Sequence, residues 1–150
     1  MHRLLLLLLT LPLLFGCSNS VSENTTADKY NIAREEKLIN TVVGTVSYRE
    51  KMALTPDAVI NIKLLDVSLA DVPAIILGEL TIDKPGNVPV SFSIDYDPAR
   101  IDARHSYAVR AEIHDRGQLL FTTDKSYPII TRNAGNKVDL VLVRVGSNKL

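Results

Sequence analysis

From Ile39 onward the chain alternates apolar and polar residues in short runs. Val42–Tyr48 is β-branched and alternating, and Val59–Val67 sets Ile60, Ile62 and Leu64 on one face. Ile76–Asp83 groups Ile76, Gly78, Leu80 and Ile82 against Glu79, Thr81 and Asp83. Val90–Tyr96 turns Val90, Phe92, Ile94 and Tyr96 one way, and Tyr107–Ile113 does the same with Tyr107, Val109, Ala111 and Ile113. Leu119–Thr123, Ile129–Thr131 and Val138–Val145 complete the series. A period of two marks strands with one buried face. Turn formers separate the runs: Thr55-Pro56-Asp57, Pro85-Gly86-Asn87, Asp97-Pro98, Asp115-Arg116-Gly117-Gln118 and Asn133-Ala134-Gly135-Asn136. The Arg116-Gly117 pair has the form of a tight hairpin, with Gly free to take positive φ. No amphipathic helix is legible after residue 39. The pattern predicts an all-β fold, a single β-sandwich of seven to eight short strands over residues 39–146, with residues 147–150 as a tail. A small closed barrel is the alternative.

The beginning of the chain reads differently. Met1-His2-Arg3 precedes a run of apolar residues from Leu4 to Phe15, broken by Thr10 and Pro12. A short cationic head and about a dozen apolar residues form a secretory signal. A bilayer span needs roughly 20, and Pro12 would interrupt a spanning helix. Leu14-Phe15-Gly16-Cys17 resembles a bacterial lipobox. Signals of that kind place diacylglycerol on the Cys thiol and are cut just before it. Cys17 supplies the nucleophile such chemistry needs, and Gly16 the small residue at the cut. Phe15 is larger than the pattern prefers. Residues 1–16 are therefore expected to be a signal peptide, with Cys17 lipidated. Residues 17–38 are rich in Ser, Asn, Thr and charge, too poor in apolar surface to offset ordering entropy. They are expected to be a flexible tether, with a coil span of about 25 Å. Ser18 after the lipidated Cys, by resemblance to enterobacterial sorting rules, directs the protein to the outer membrane on its periplasmic side.

Composition narrows the function classes. The 17 Lys and Arg balance 17 Asp and Glu, which leaves no basic excess for nucleic acid. Attachment to membrane then falls to lipid rather than charge. Cys17 is the single Cys, so no intramolecular disulfide or Cys-rich metal cage is available. With 46% apolar residues but only 5% aromatic ones and no Trp, the core is expected to be aliphatic.

The strand sequences also resemble a known family. Val43-Gly44-Thr45-Val46-Ser47-Tyr48-Arg49-Glu50-Lys51-Met52-Ala53-Leu54, Leu64-Leu65-Asp66-Val67-Ser68, Pro89-Val90-Ser91-Phe92-Ser93-Ile94-Asp95-Tyr96-Asp97 and His105-Ser106-Tyr107-Ala108-Val109-Arg110-Ala111 carry the likeness. Leu120-Phe121-Thr122-Thr123-Asp124 and Tyr127-Pro128-Ile129-Ile130-Thr131 extend it. They are similar to the YbaY family of envelope lipoproteins, grouped with the YscW-type secretion pilot lipoproteins, over roughly residues 40–146. The resemblance implies a lipid-anchored periplasmic β-sandwich without catalytic activity. YscW-type pilots bind a secretin subunit and help it assemble in the outer membrane.

Little in the residues points to catalysis. Past the signal there are two histidines, His105 and His114. Nine apart, they would face opposite sides of one strand and share no ligand. His105 is expected to mark the start of a strand and His114 an exposed face before a turn. No Gly-x-Ser-x-Gly turn or Gly-rich phosphate loop is present. Asp66, Asp95 and Asp97 are read as turn and capping carboxylates, against a calcium or sugar role. No metal or cofactor is expected. Tyr48, Arg49 and Arg110 form a candidate interaction surface, since an exposed aromatic beside Arg is a usual interface pairing. The segment Ser68–Ile75 is apolar without alternation, and either folds over the sandwich or exposes a groove. The expected function is a non-enzymatic binding or assembly factor for an envelope or secretion-system protein. The alternative is an envelope lipoprotein that binds a small molecule or glycan and is linked to polysaccharide metabolism.

Overall fold

The structure is a computed structural model that describes residues 38–146. The signal peptide at 1–16, Cys17, nearly all of the tether at 17–38 and the tail at 147–150 lie outside the described residues.

Eight strands follow in chain order: β1 (Asn40–Tyr48), β2 (Ala58–Asp66), β3 (Ile75–Asp83), β4 (Val90–Tyr96), β5 (Tyr107–Asp115), β6 (Gln118–Thr122), β7 (Pro128–Ile129) and β8 (Lys137–Arg144). A single 3₁₀ turn, Pro98–Arg100, follows β4. Asp97 caps it by accepting from the Ala99 amide at 2.9 Å. The hydrogen-bonded order is β3-β2-β5-β6-β8-β1-β4, with β7 paired to β5. All pairs are antiparallel except β1 with β8, which is parallel.

Two sheets pack face to face and share β8. Residues Val43–Tyr48 of β1 run beside Lys137–Leu142, and then Val143 and Arg144 cross to pair with Thr122 and Phe121 of β6. At the far edges β3 and β4 nearly meet. A side-chain carbon at Gly78 would stand 2.6 Å from Ile94 Cγ2 and 2.8 Å from the Asp95 carbonyl. Arg100 Nη2 donates to the Ile76 carbonyl at 3.1 Å across the same gap. The expected sandwich is thus closed on one side by a shared strand and nearly closed on the other.

Inward positions match the period of two. Val42, Val46, Ile60, Ile62, Leu64, Phe92, Ile94, Val109, Ala111, Ile113, Leu140 and Leu142 are buried between the sheets. Four tyrosines and Phe121 join them. Tyr48 stacks on Phe121 with ring centroids 4.3 Å apart. Three of the four phenols hydrogen-bond to backbone, which offsets the loss of water. Tyr48 donates to the Met52 carbonyl at 2.8 Å, Tyr107 accepts from the Asp102 amide at 2.8 Å, and Tyr127 bridges the Val141 carbonyl and amide at 2.8 and 2.9 Å. The aliphatic core is therefore braced by its few rings.

Two expectations need correction, and a third holds. Ile76 does not join Gly78, Leu80 and Ile82. The β2–β3 register steps from Leu64↔Gly78 to Leu65↔Ile76, so Leu77 bulges inward against the core and Ile76 is 44% exposed. The strand expected at Ile129–Thr131 stops at Ile129. Ile130 takes φ 71°, a left-handed conformation a β-branched residue rarely holds, and its amide turns to the Gly135 carbonyl. In the β5–β6 hairpin both Arg116 (φ 49°) and Gly117 (φ 80°) are left-handed, as a two-residue primed turn requires.

Gly44 is needed for another reason. A carbon in its side-chain position would lie 1.8 Å from the Val138 carbonyl and 2.8 Å from the Phe92 ring. Gly44→Ala should force β8 or Phe92 to move and cost about 1–3 kcal/mol, the usual scale of overpacking. Urea unfolding of the variant beside the parent measures this, and an unchanged midpoint would mean that the β1–β8 contact is not a tight one.

Candidate functional site

The strand directions give the domain two ends. Asn40 faces Tyr96, Asp66 faces both Ile75 and Tyr107, and β8 starts beside Val43. These positions form one end, where the chain enters β1. Tyr48, Ala58, Asp83, Val90 and Asp115 lie toward the other.

The candidate surface residues separate. Tyr48 is in the core at 7% exposure, so it faces Phe121 and no partner. Its ring alternates with Ser47 and Val46 like any inward strand position, and that parity was the legible signal. Burial, followed by the charge of Glu50, pushes its phenol above the ordinary value. Arg49, one residue on, is exposed. It lines a cleft of about 190 Å³ with Glu50, Asp124, Lys125 and residues 141–143 of β8. Glu50 Oε2 is buried there without a hydrogen-bond partner. Arg110 is exposed on the outer face of β5. It lines a second cleft, of about 340 Å³, with Leu65, Val67 and Ala108 beside residues 123–126. Asp124 and Lys125 border both clefts. The segment after β6 is thus a ridge between the two arginines, and Lys125 rests its ammonium 5.1 Å over the Tyr127 ring.

The other feature is at the end where the chain enters. The segment Ser68–Ile75 does not fold over the sandwich. Leu69 is 65% exposed, Val72 53% and Ile75 54%. With Pro73 and Ala74 they line a cleft of about 60 Å³, closed below by Asp66 and His105. Asp66 ties down the base of this loop. It accepts from the Ser68 amide at 2.9 Å, from the Ser68 hydroxyl, and from His105 Nδ1 at 2.7 Å. The Ser106 amide donates to Ser68 Oγ at 2.8 Å, and Thr131 Oγ1 to the His105 carbonyl at 2.8 Å. Burial of Asp66 raises its pKa, but the Ser68 and His105 hydrogen bonds outweigh this, and it lies below the ordinary value. Nearby, the Arg104 side chain holds Asp102 well below the usual carboxylate range.

His105 precedes β5 instead of opening it, so strand parity does not relate it to His114. His114 is on β5 opposite Val59 and is not fully exposed: its side chain keeps 27% exposure, with Nδ1 buried and unpartnered. The two histidines belong to different ends of the domain. Asp66, Ser68 and His105 are not ordered for acyl transfer. Asp66 stands between the other two, whereas that chemistry needs the histidine between serine and aspartate. The capping role of Asp97 and the loop role of Asp66 fit the turn-and-cap reading, but Asp95 lies within β4 and accepts across the strand pair from Thr41 Oγ1 at 2.8 Å. Among the described residues no group of three or more His, Cys, Asp or Glu is arranged to hold a metal ion. A broader groove, of about 780 Å³, runs past Asn40, Ile101 and Ile130–Asn133, and its aromatic ring, Tyr96, is buried.

Comparison with known proteins places this β-domain. The profile of the type III secretion system lipoprotein chaperone family (YscW) matches residues 38–142. The chain belongs to the YscW family. It is 39% identical over 105 residues to the uncharacterized lipoprotein YbaY of Escherichia coli strain K12. That match covers 69% of this chain and 55% of the relative, so the chain spans about half the length of the curated relative it matches. Among solved structures it is similar to an alternative pilotin from the type II secretion system of Vibrio cholerae. The TM-score is 0.70 at 39% identity, over 72% of this chain and 98% of that one.

The Asp66 network makes a testable demand on acid stability. A carboxylate whose folded pKa is depressed contributes stability above the unfolded value, about 3.9, and loses it as pH falls through the folded value. Asp66→Asn should therefore lower the melting temperature at pH 6 and flatten its decline between pH 5 and pH 3. Parallel melting curves for variant and parent would refute the ionic role of Asp66.

Proposed function

We propose that this YscW-family chain is a lipid-anchored, non-enzymatic assembly factor. It works on the periplasmic side of the outer membrane and binds another envelope or secretion-system protein, in the manner of a pilot. The observation that carries this reading is the match to the alternative pilotin, which takes in nearly all of that chain at 39% identity. The lipobox-like Leu14–Cys17 supports the anchor, and Ser18 supports outer-membrane sorting.

The protein-binding surface we assign to the two clefts beside the Asp124–Lys125 ridge. Arg49 and Arg110 retain the role read from the sequence, and Tyr48 supports the floor of the site from inside. Exposed guanidinium groups beside clefts that mix aliphatic and charged lining can serve as interface anchors. The arrangement offers hydrogen-bond donors to carboxylates or backbone carbonyls of a partner.

In-cell photo-crosslinking tests this. A photoreactive residue at position 49 or 110 should capture one envelope protein, and one at exposed Pro56 should not. The adduct should be lost or strongly reduced with Cys17→Ala, which removes the thiol that lipid would modify. A protein that fractionates with membrane yet yields no adduct from either arginine position would sink the assembly reading.

A further inference from the structure

The apolar loop after β2 has no role in the two clefts beside the Asp124–Lys125 ridge. From Leu69 to Ile76 the chain presents Leu69, Val72, Ile75 and Ile76 at 44–65% exposure, and Asp71 is the single charge in that stretch. The loop is held, not loose. Asp66 and Ser68 pin its first residues to His105 and Ser106, and Arg100 binds the Ile76 carbonyl at 3.1 Å where it returns. A fixed loop that keeps its large apolar side chains in water is built to lose that water to something else.

Its position indicates what. The chain enters β1 at Asn40, opposite Tyr96, and Arg100 follows Tyr96 by four residues while touching Ile76. The loop and the entering chain thus share one end of the domain. Leu38 and Ile39, just before β1, add two further apolar residues at 78% and 48% exposure. Only 21 residues separate Cys17 from Ile39. Even fully extended they reach no more than about 75 Å. Confinement within such a distance gives an effective concentration near the millimolar range, so a contact too weak to hold a free protein on a bilayer becomes occupied. A second copy fits less well. The outer face of β3 beyond the loop carries Glu79 and Asp83, charges that oppose edge-to-edge pairing.

We propose that the Leu69–Ile76 loop is a membrane-docking site whose ligand is the lipid surface itself. Leu69, Val72 and Ile75 enter the boundary between headgroups and acyl chains, and Arg100 stays at the level of the lipid phosphates. The domain then stands on the bilayer on this end and turns Arg49, beyond the far end of β1, away from it. This inference rests on lipidation of Cys17, and adds an orientation that a tether alone does not give.

The test uses the full lipidated chain in vesicles of phosphatidylethanolamine and phosphatidylglycerol at 3:1. With Cys17 acylated, Val72→Cys provides a unique thiol for an environment-sensitive fluorophore, and Ala53→Cys reports on the opposite end. The Val72 probe should be quenched by lipids spin-labelled near the headgroup and lose about threefold in quenching by aqueous iodide, consistent with interfacial burial. The Ala53 probe should do neither. Adding Leu69→Asp and Ile75→Asp, both at exposed positions, should return the Val72 probe to water, which separates the loop's own affinity from that of the dye. Equal iodide quenching at the two positions would overturn the proposal. Protection from iodide without lipid quenching would overturn it too, in favour of a second copy or another protein on the loop. If Cys17 itself takes the label and the chain does not float with the vesicles, the anchor reading fails instead.

Discussion

The arrangement depends on β8 serving two sheets. Six of its residues lie parallel to β1 and the next two pair with β6. A strand can change partners in this way only if the sheets come close where it crosses. Earlier along the pair, Gly44 lets β8 lie close against β1 by leaving the Val138 carbonyl and the Phe92 ring the space a side chain would occupy. The Tyr48–Phe121 stack fills the crossing from inside. Along the opposite edge Gly78 plays the same part between β3 and β4. With both sides drawn together, apolar side chains on every strand face a common interior, and the hydrophobic effect acts on all of them at once.

Closing the sides leaves the two ends to carry function. At one end the loop after β2 projects apolar residues from a base fixed by Asp66, Ser68 and His105. Toward the other, and on the outer face of β5, two arginines border clefts split by the Asp124–Lys125 ridge. The chemistry of the two regions differs: the first offers hydrophobic area with one nearby guanidinium, the second charged donors over a small apolar floor. Such a division suits the two contacts proposed above, a membrane on one side and a client on the other.

Membership in the YscW family and the likeness to a type II pilotin constrain this reading without supplying the geometry. Asp66, Ser68 and His105 are not ordered as a nucleophile with its histidine base. The one Asp–His pair is spent on a loop, where a hydrogen-bonded carboxylate between two donors gives rigidity.

The sequence by itself determined the strands and nearly all their inward faces, because alternation is a local property and each run was long enough to carry it. It also determined the family, and set a lone cysteine behind a lipobox-like signal. It failed wherever a residue's fate depended on a distant neighbour. Tyr48 looked like a surface aromatic beside Arg49, but Phe121, 73 positions away, takes its face. Ile76 kept the right spacing, but a register step against β2 turned it outward and Leu77 inward. The sharing of β8, the ridge between Arg49 and Arg110, and the placing of the apolar loop beside the start of β1 were decided by tertiary structure alone. Each depends on which strands pair and in what register, and that is settled by the shared interior rather than by any one segment.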